Sequence, residues 1–312
     1  MWLTSSLDTI LTPTAVALGN FDGVHRGHRQ VIQSALTAAT QAEVYPTVVT
    51  FHPHPQAFFT GQSRLLLTPV EEKVQQLEAM GITQMVALPF DRPLAELSPE
   101  AFVETILLEQ LQAKWISVGQ DFRFGKKRAG TVADLQAIAA THNVKVHIVP
   151  LHTCKEGRIS SSQIRTSLAA GDLAQANRLL GRPYSLIGTV VQGQQLGRTI
   201  GFPTANLQLP PEKFLPRQGV YRVRVTTAGW EQPQLGVMNI GNRPTVDGVQ
   251  QTIEVHLLDW SGDLYGQTLT VDLEAFLRPE QKFASLEALK AQIHADCETA
   301  RQQAISDYVL ES

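Results

Sequence analysis

The sequence predicts an α/β module with a parallel sheet, followed by an antiparallel β-barrel that carries a helical C-terminal segment. Three observations carry this. Through Leu180, short apolar runs alternate with helical patterns, as in a parallel sheet covered on both faces. Beyond Gly181-Arg182-Pro183 come strand patterns separated by Gly, Pro and Asp turns, with no helix between them. The 312 residues suit two domains, and the change of pattern divides them as 1–182 and 183–312.

The elements follow in order. Val16-Ala17-Leu18-Gly19 reads as a short buried strand, followed by a glycine-rich turn and a helix from about Gly27 to Thr40. Val44 to Phe51 is rich in β-branched residues and reads as the second strand. Pro69 to Met80 is a helix, opened by proline and stopped by Gly81. Met85 to Pro89 is a strand, and Ser98 caps the helix that follows it. Trp115–Gly119 and Val144–Val149 are strands flanking a helix over Val132–Thr141. Two short helices lie at Ser162–Ala170 and Leu173–Leu180. In the second half, strands are predicted at Leu186–Gln192, Gly219–Thr226, Leu235–Ile240, Thr252–Asp259 and Leu269–Phe276. Ser285 to Tyr308 closes the chain as one or two helices.

Composition narrows the function classes. Hydrophobic residues at 43% and charged residues at 18% describe a globular chain and not a disordered one. There are 16 basic and 15 acidic residues up to Arg182, and 10 and 14 beyond it, so neither half has the charge for long nucleic acid. No apolar run reaches membrane-span length, and the first residues lack the pattern of an export signal. Cys154 and Cys297 form no CxxC pair. A soluble cytoplasmic protein with small-molecule partners, and with neither nucleic acid nor membrane among them, is the expectation.

The stretch from Gly19 to His28 (Gly-Asn-Phe-Asp-Gly-Val-His-Arg-Gly-His) joins the first strand to the first helix. Ligands bind at the carboxyl ends of strands in such sheets, and a helix N-terminus offers N–H groups to phosphate. His25 and His28 are three apart and can face one side, placed to donate hydrogen bonds to a phosphate in a transition state. The same stretch also reads as a Gly-rich turn with two surface histidines. Phe51-His52-Pro53-His54-Pro55 is a proline-fixed loop after the second strand. The segment from Gly119 to Arg128 gathers Asp121, Phe122, Phe124 and four cations, which suits a nucleotide or flavin phosphate, or else a solvated basic turn. Arg158 to Arg165 opens a helix with Ser160, Ser161 and Ser162; these hydroxyls read as caps, or with Arg165 as holders of phosphates.

In the second half, residues 193 to 207 follow the first barrel strand. Gly193, Gly197 and Gly201, with Arg198 and the turn at Pro203, can wrap a phosphate chain. Thr204 and Asn206 add oxygens that suit Mg²⁺. Alternation places Ile253, Val255 and Leu257 on one face of a strand and Glu254, His256 and Leu258 on the other. Glu254 is either solvent-facing or, in a site, a base that accepts the proton of an attacking alcohol.

The HxGH string at His25–His28 and the Ser-Ser-Ser-x-Ile-Arg helix start resemble the Rossmann-like HxGH nucleotidyltransferase superfamily. The longer strings at 19–25, 119–125 and 159–165, the Gly-Arg-x-x-Gly-Phe-Pro-Thr-Ala-Asn string at 197–206, and those at 219–221, 239–245, 254–257 and 263–266 resemble the bacterial bifunctional riboflavin kinase/FAD synthetase family over nearly the whole chain. That resemblance implies two activities: ATP-dependent phosphorylation of riboflavin to FMN, then adenylylation of FMN to FAD with release of pyrophosphate. It implies Mg²⁺ with ATP. It carries catalysis to Glu254, His25 and His28, and metal binding to Thr204 and Asn206. It carries ATP binding to Gly19, Phe21, Ser161, Ser162, Arg165, Gly193, Gly197, Arg198, Gly201 and Pro203. Flavin contacts fall to His54, Asp121, Phe122 and Arg278. Two departures stand out: Ser162 replaces the usual Thr, and Gly130-Thr131 replaces a common Gly-Asp.

Overall fold

A computed structural model describes the chain, all but residues 152, 155, 156, 194, 195, 246, 247 and 312; side chains are described outside 152–157, 194–196, 243–250 and 306–312. Two compact units are found, Met1–Ser161 and Ser162–Ser312.

The first unit is built on a six-stranded sheet in the order β1-β4-β3-β2-β5-β6, with every pair parallel. Its strands are β1 (Trp2–Thr4), β2 (Thr14–Leu18), β3 (Tyr45–His52), β4 (Gln84–Pro89), β5 (Ala113–Gly119) and β6 (Lys145–Val149). Helices α1 (Arg26–Ala42), α2 (Pro55–Thr60), α3 (Val70–Glu78), α4 (Arg92–Glu96), α5 (Pro99–Ala101) and α6 (Val132–Thr141) join them, and α5 runs on into a π-helix over Phe102–Gln110. Period-two alternation divides the core between the two faces. Val16, Leu18 and Val49 belong to one apolar cluster, and Ala17, Val48 and Met85 to the other. Strand order reverses at β2, between β3 and β5. The loops after β2 and β5 therefore open at the switch point, where such sheets bind ligands.

Most predicted elements lie where the pattern placed them, and α6 matches residue for residue. The edge strand β1 is an addition. It is three residues long, and its pairing with β4 is a long-range contact that no local pattern signals.

In the second unit, α7 (Ser161–Ala170) and α8 (Leu173–Leu180) precede a closed barrel, ordered β10-β13-β12-β11-β14-β9. The first residue of α7, Ser161, belongs to the first unit. The barrel strands are β9 (Tyr184–Val191), β10 (Ala205–Gln208), β11 (Gly219–Thr226), β12 (Gln234–Thr245), β13 (Gly248–Leu257) and β14 (Thr268–Arg278). Tyr221, Val223, Met238, Ile240, Val255, Val271 and Leu273 form one buried face of these strands. On the opposite face Val220 and Val237 pack with Cys297 and Ala300 of a single long helix, α10 (Leu286–Glu311). Asn177 of α8 accepts from the Tyr184 N–H at 2.8 Å and donates to the Leu273 carbonyl at 2.9 Å, tying α8 to the barrel.

One strand is added here and one expectation is corrected. Ala205–Gln208 forms β10, absent from the predicted strands, because pairing with both β9 and β13 closes the barrel. The barrel strands are not free of helix, since α9 (Leu196–Thr199) makes one turn before β10. Gln194 and Gln195 of this loop lie outside the described residues, as do the side chains of Cys154, of Arg243-Pro244-Thr245 and of Tyr308.

Candidate active sites

In the first unit, the turn after β2 is strained and heavily pinned. Phe21 and Val24 sit in the left-handed region, at φ 47 and φ 43, with Gly23 at φ 95. A β-branched residue there is an outlier that persists only when its surroundings fix it. Here they do. The Gly23 N–H donates to Thr68 Oγ1 at 2.9 Å, and the Thr68 N–H donates to Asp22 Oδ1 at 3.1 Å. Ser161 Oγ donates to the Asp22 carbonyl at 2.7 Å. The Asn20 carbonyl accepts from Thr50 Oγ1 at 3.2 Å and from Lys73 Nζ at 2.8 Å. Gly19 has no Cβ because one would lie 3.1 Å from the Phe21 ring, which is buried above it.

That turn presents the histidines. His25 is the N-cap of α1, and its Nδ1 accepts the His28 N–H at 3.2 Å. The two rings stack with centroids 3.5 Å apart, and the Phe21 ring meets His28 edge-on at 5.4 Å. Burial lowers the His25 pKa to about 4, opposed by its backbone hydrogen bond and by Asp22. Burial also lowers His28 well below the usual value, with His25 and Lys73 adding to the shift. Both rings are therefore neutral at pH 7. Because His25 Nδ1 accepts, its proton is on Nε2, so one donor direction is fixed. His28 Nδ1 is buried without a hydrogen-bond partner. The pair is thus a stacked, uncharged set at a helix N-terminus and not two solvated surface histidines.

The neighbouring loops supply the rest of this unit's set. Asp121, after β5, is ion-paired with Arg158. Phe122 stacks on Phe124, and Phe124 leaves no room for a Cβ at Gly130. Thr131, the unusual residue, caps α6 in a reciprocal box with Asp134, so its departure keeps a helix start. His54 caps α2, its Nδ1 accepting the Gln56 N–H at 3.1 Å. Beyond it Phe51, Phe58, Phe59 and Phe90 form an edge-to-face group at the ends of β3 and β4, with Phe59 67% exposed. Ser162 and Arg165 belong to the second unit.

In the barrel, Asn206 of β10 stands directly opposite Glu254 of β13, and Asn239 of β12 stands opposite Glu254 on its other side. Residues paired in this way share a face, here the one away from Val255 and Tyr221. Thr204 Oγ1 lies 3.5 Å from Glu254 Oε2. Gly193 and Gly197 close over them: a Cβ at Gly193 would fall 2.3 Å from Asn206 Nδ2, and one at Gly197 would fall 2.3 Å from the Phe202 carbonyl. Gly201 takes φ +91, which only glycine adopts freely. The Pro203 carbonyl accepts from His256 Nδ1 at 2.8 Å, and the His256 ring meets Phe202 edge-on, so the turn before Thr204 is anchored to β13. Arg198 is exposed on α9. Arg278 is held by Asp296 of α10, which takes its Nε and Nη2 at 2.8–3.1 Å, and by the Pro279 carbonyl, which takes its Nη1.

Thr204, Asn206 and Glu254 offer oxygen donors of the kind Mg²⁺ takes, under glycines whose missing side chains leave a cradle. Among the described residues no group of three or more His, Cys, Asp and Glu gathers elsewhere to hold a metal.

Sequence reasoning singled out neither Asp22, Thr68, Lys73 and the Phe58/Phe59/Phe90 group nor the anchoring role of His256. Lys73 did leave a signal. With Val70 and Leu77 it occupies the apolar stripe of α3, where a cation is out of pattern.

The fold and these two residue sets define a two-module transferase, with a nucleotidyltransferase-like α/β unit and a kinase-like barrel. The family model described as FAD synthetase matches residues 7–163, and that described as riboflavin kinase matches residues 180–304. Relatives named bifunctional riboflavin kinase/FMN adenylyltransferase span the chain. The Escherichia coli K12 protein is 43% identical over 290 residues, 92% of this chain and 91% of its own length. The Haemophilus influenzae protein is 40% identical over 94% of each, and that of Bacillus subtilis 37% identical over 92% and 91%. A solved structure described as a macrolide-efflux protein from Streptococcus pneumoniae superposes with a TM-score of 0.85 at 32% identity, covering 96% of this chain and 98% of that one. Among the described residues no helix here is long and apolar enough to cross a membrane. The chain belongs to the bifunctional riboflavin kinase/FMN adenylyltransferase family.

Proposed function

We propose that the barrel phosphorylates riboflavin to FMN and that the α/β unit adenylylates FMN to FAD, each with its own ATP. The observation that carries the reading is that each unit gathers its own reactive set. The set around Glu254 lies on one barrel face, and the histidine pair lies at the sheet's switch point.

At the barrel, Glu254 accepts the proton of the terminal riboflavin hydroxyl as its oxygen attacks the γ-phosphorus, and ADP leaves. Thr204 and Asn206 would hold Mg²⁺, which when bound neutralises phosphate charge. Gly193, Gly197 and Gly201 let the backbone approach the phosphates, with Arg198 and Pro203 flanking them. At the histidine pair, a phosphate oxygen of FMN attacks the α-phosphorus of ATP and pyrophosphate leaves. A neutral imidazole donates from Nε2 of His25 as charge builds on the α-phosphate, and His28 holds that ring by stacking and through its N–H. Gly19 and Phe21 shape the nucleotide pocket, while Ser161 serves the ATP phosphates. Asp121, Phe122 and His54 lie on the loops that would meet nucleotide and flavin, and the exposed phenylalanines offer faces to a planar ring. ATP, riboflavin and FMN are the partners in this reading, and the cytoplasm, where ATP is held, is the place of action.

The test is a chromatographic product assay with riboflavin, ATP and Mg²⁺, run in parallel with FMN supplied. Wild-type protein should give FAD in both. Glu254→Ala should stop FMN formation and leave FMN adenylylation, and His28→Ala should do the reverse. Loss of both reactions from either substitution in folded protein would refute the two-site reading.

A further inference from the structure

We propose that Lys73 is a positioning residue for adenylyl transfer: its buried ammonium pins the Asn20 carbonyl and so fixes the strained turn that presents His25 and His28. The inference rests on the reading of that pair as the adenylyl-transfer site.

Lys73 is 7% exposed on α3. Its Nζ donates to the Asn20 carbonyl at 2.8 Å and lies 3.5 Å from Thr50 Oγ1, the other donor to that carbonyl. One peptide group therefore takes two side-chain donors from two different elements. The next residue, Phe21, is the one held at φ 47, and its ring abuts His28, which stacks on His25. The contact chain runs unbroken from Lys73 to the imidazoles. Without the ammonium the Asn20 carbonyl would keep only the longer bond from Thr50 Oγ1, so its peptide would be held less firmly and Phe21 could relax toward the ordinary backbone regions.

Stability alone does not account for the residue. Among the described residues no carboxylate comes within ion-pair distance of Lys73. Burial lowers its pKa to about 8, with Asp22 opposing. A methionine of similar length would fill the same space without desolvating a charge, whose burial without a counter-charge is costly. The charge of the ammonium also adds, after burial and His25, to the forces that keep the His28 ring neutral. The other charged groups bearing on the pair are Asp22, Asp121 and Arg158.

The test uses the full chain as wild type, Lys73→Met and His28→Ala. FAD formation from FMN is measured at varied ATP and FMN, with riboflavin phosphorylation as the internal control. Thermal unfolding and histidine ring NMR titrations accompany it. In Lys73→Met, kcat for adenylylation should fall by roughly tenfold or more with KM for ATP and FMN little changed. Riboflavin phosphorylation should hold, the unfolding midpoint should stay at or above wild type, and the His28 ring should titrate at higher pH. Adenylylation within about threefold of wild type, a loss confined to KM, or a loss that tracks lowered stability with unmoved ring titrations would overturn the proposal. If the methionine variant does not fold, Lys73→Ala, which also removes the donor to the Asn20 carbonyl, repeats the test. The two levels separate cleanly. FAD formation surviving in His28→Ala sinks the reading of the site, whereas an inactive His28→Ala beside an active Lys73→Met sinks this inference alone.

Discussion

Replacing Gly193 by alanine tests the barrel site through a single methyl group. The added Cβ would lie 2.3 Å from Asn206 Nδ2, 2.4 Å from its Cγ and 2.6 Å from its Oδ1. Non-bonded heavy atoms sit at about 3.5 Å or more, so the carboxamide must retreat by roughly 1 Å. The backbone of β10 cannot follow, because Asn206 is paired with Val191 on one side and Glu254 on the other. Gly193 is not in the left-handed region, so alanine there carries no backbone strain of its own, and the collision is the whole perturbation. A displacement of about 1 Å at a positioned group costs on the order of a hundredfold in rate, close to 2.7 kcal/mol. Riboflavin phosphorylation should fall by that much, with FMN adenylylation unchanged in the same preparation. A double-mutant cycle sharpens the point. In an Asn206→Ala background the collision partner is gone, and Gly193→Ala should add less than about 0.5 kcal/mol. Kinase activity within about threefold of wild type in the single variant would refute the reasoning, and so would a full cost that persists in the Asn206→Ala background.

Three further predictions concern stability and reactivity. Between about pH 6.5 and pH 4 the unfolded His25 binds a proton that the folded ring refuses, so acid weakens the fold through that window and the effect levels off below it. Relative to His25→Asn, which keeps a capping side chain, the wild type should lose on the order of 3 kcal/mol across the window in urea titrations; a difference independent of pH would contradict the buried neutral ring. At the Arg278–Asp296 fork, Arg278→Met strands a carboxylate that is 5% exposed, and should cost about 3–5 kcal/mol, whereas Arg278→Met with Asp296→Leu should melt near wild type. A higher riboflavin KM with an unchanged melt in Arg278→Met would instead mark that arginine as a flavin ligand. Burial pushes the Cys297 thiol up to about 11, so iodoacetamide at neutral pH should label it only after denaturation, as read by peptide mass spectrometry. Rapid labelling of the native chain would contradict its place on the buried side of α10, packed against the barrel.

By itself the sequence determined what depends on neighbours along the chain. Strand–helix alternation laid out the first unit, and helices α6 and α8 begin and end where their caps and periodicity place them, at Thr131 and Asp172. The motif strings pointed to both candidate sets, because chemistry that needs glycine beside a phosphate or histidine at a helix start writes itself into adjacent positions. Tertiary structure decided whatever depends on distant partners. The edge strand β1 exists because β4 accepts it, and β10 exists because β9 and β13 both pair with it. Cross-strand register brought Asn206, Glu254 and Asn239 side by side, although nothing local to Glu254 says which residues stand opposite. Whether the histidines were solvated or stacked and neutral turned on burial, a property of the assembled unit. Lys73 combines both levels: its place on an apolar stripe is visible in the sequence, but the carbonyl it holds, 53 residues earlier in the chain, is not. Local propensity acts over a few residues, whereas register and desolvation are set by long-range packing, and the fold alone fixes them.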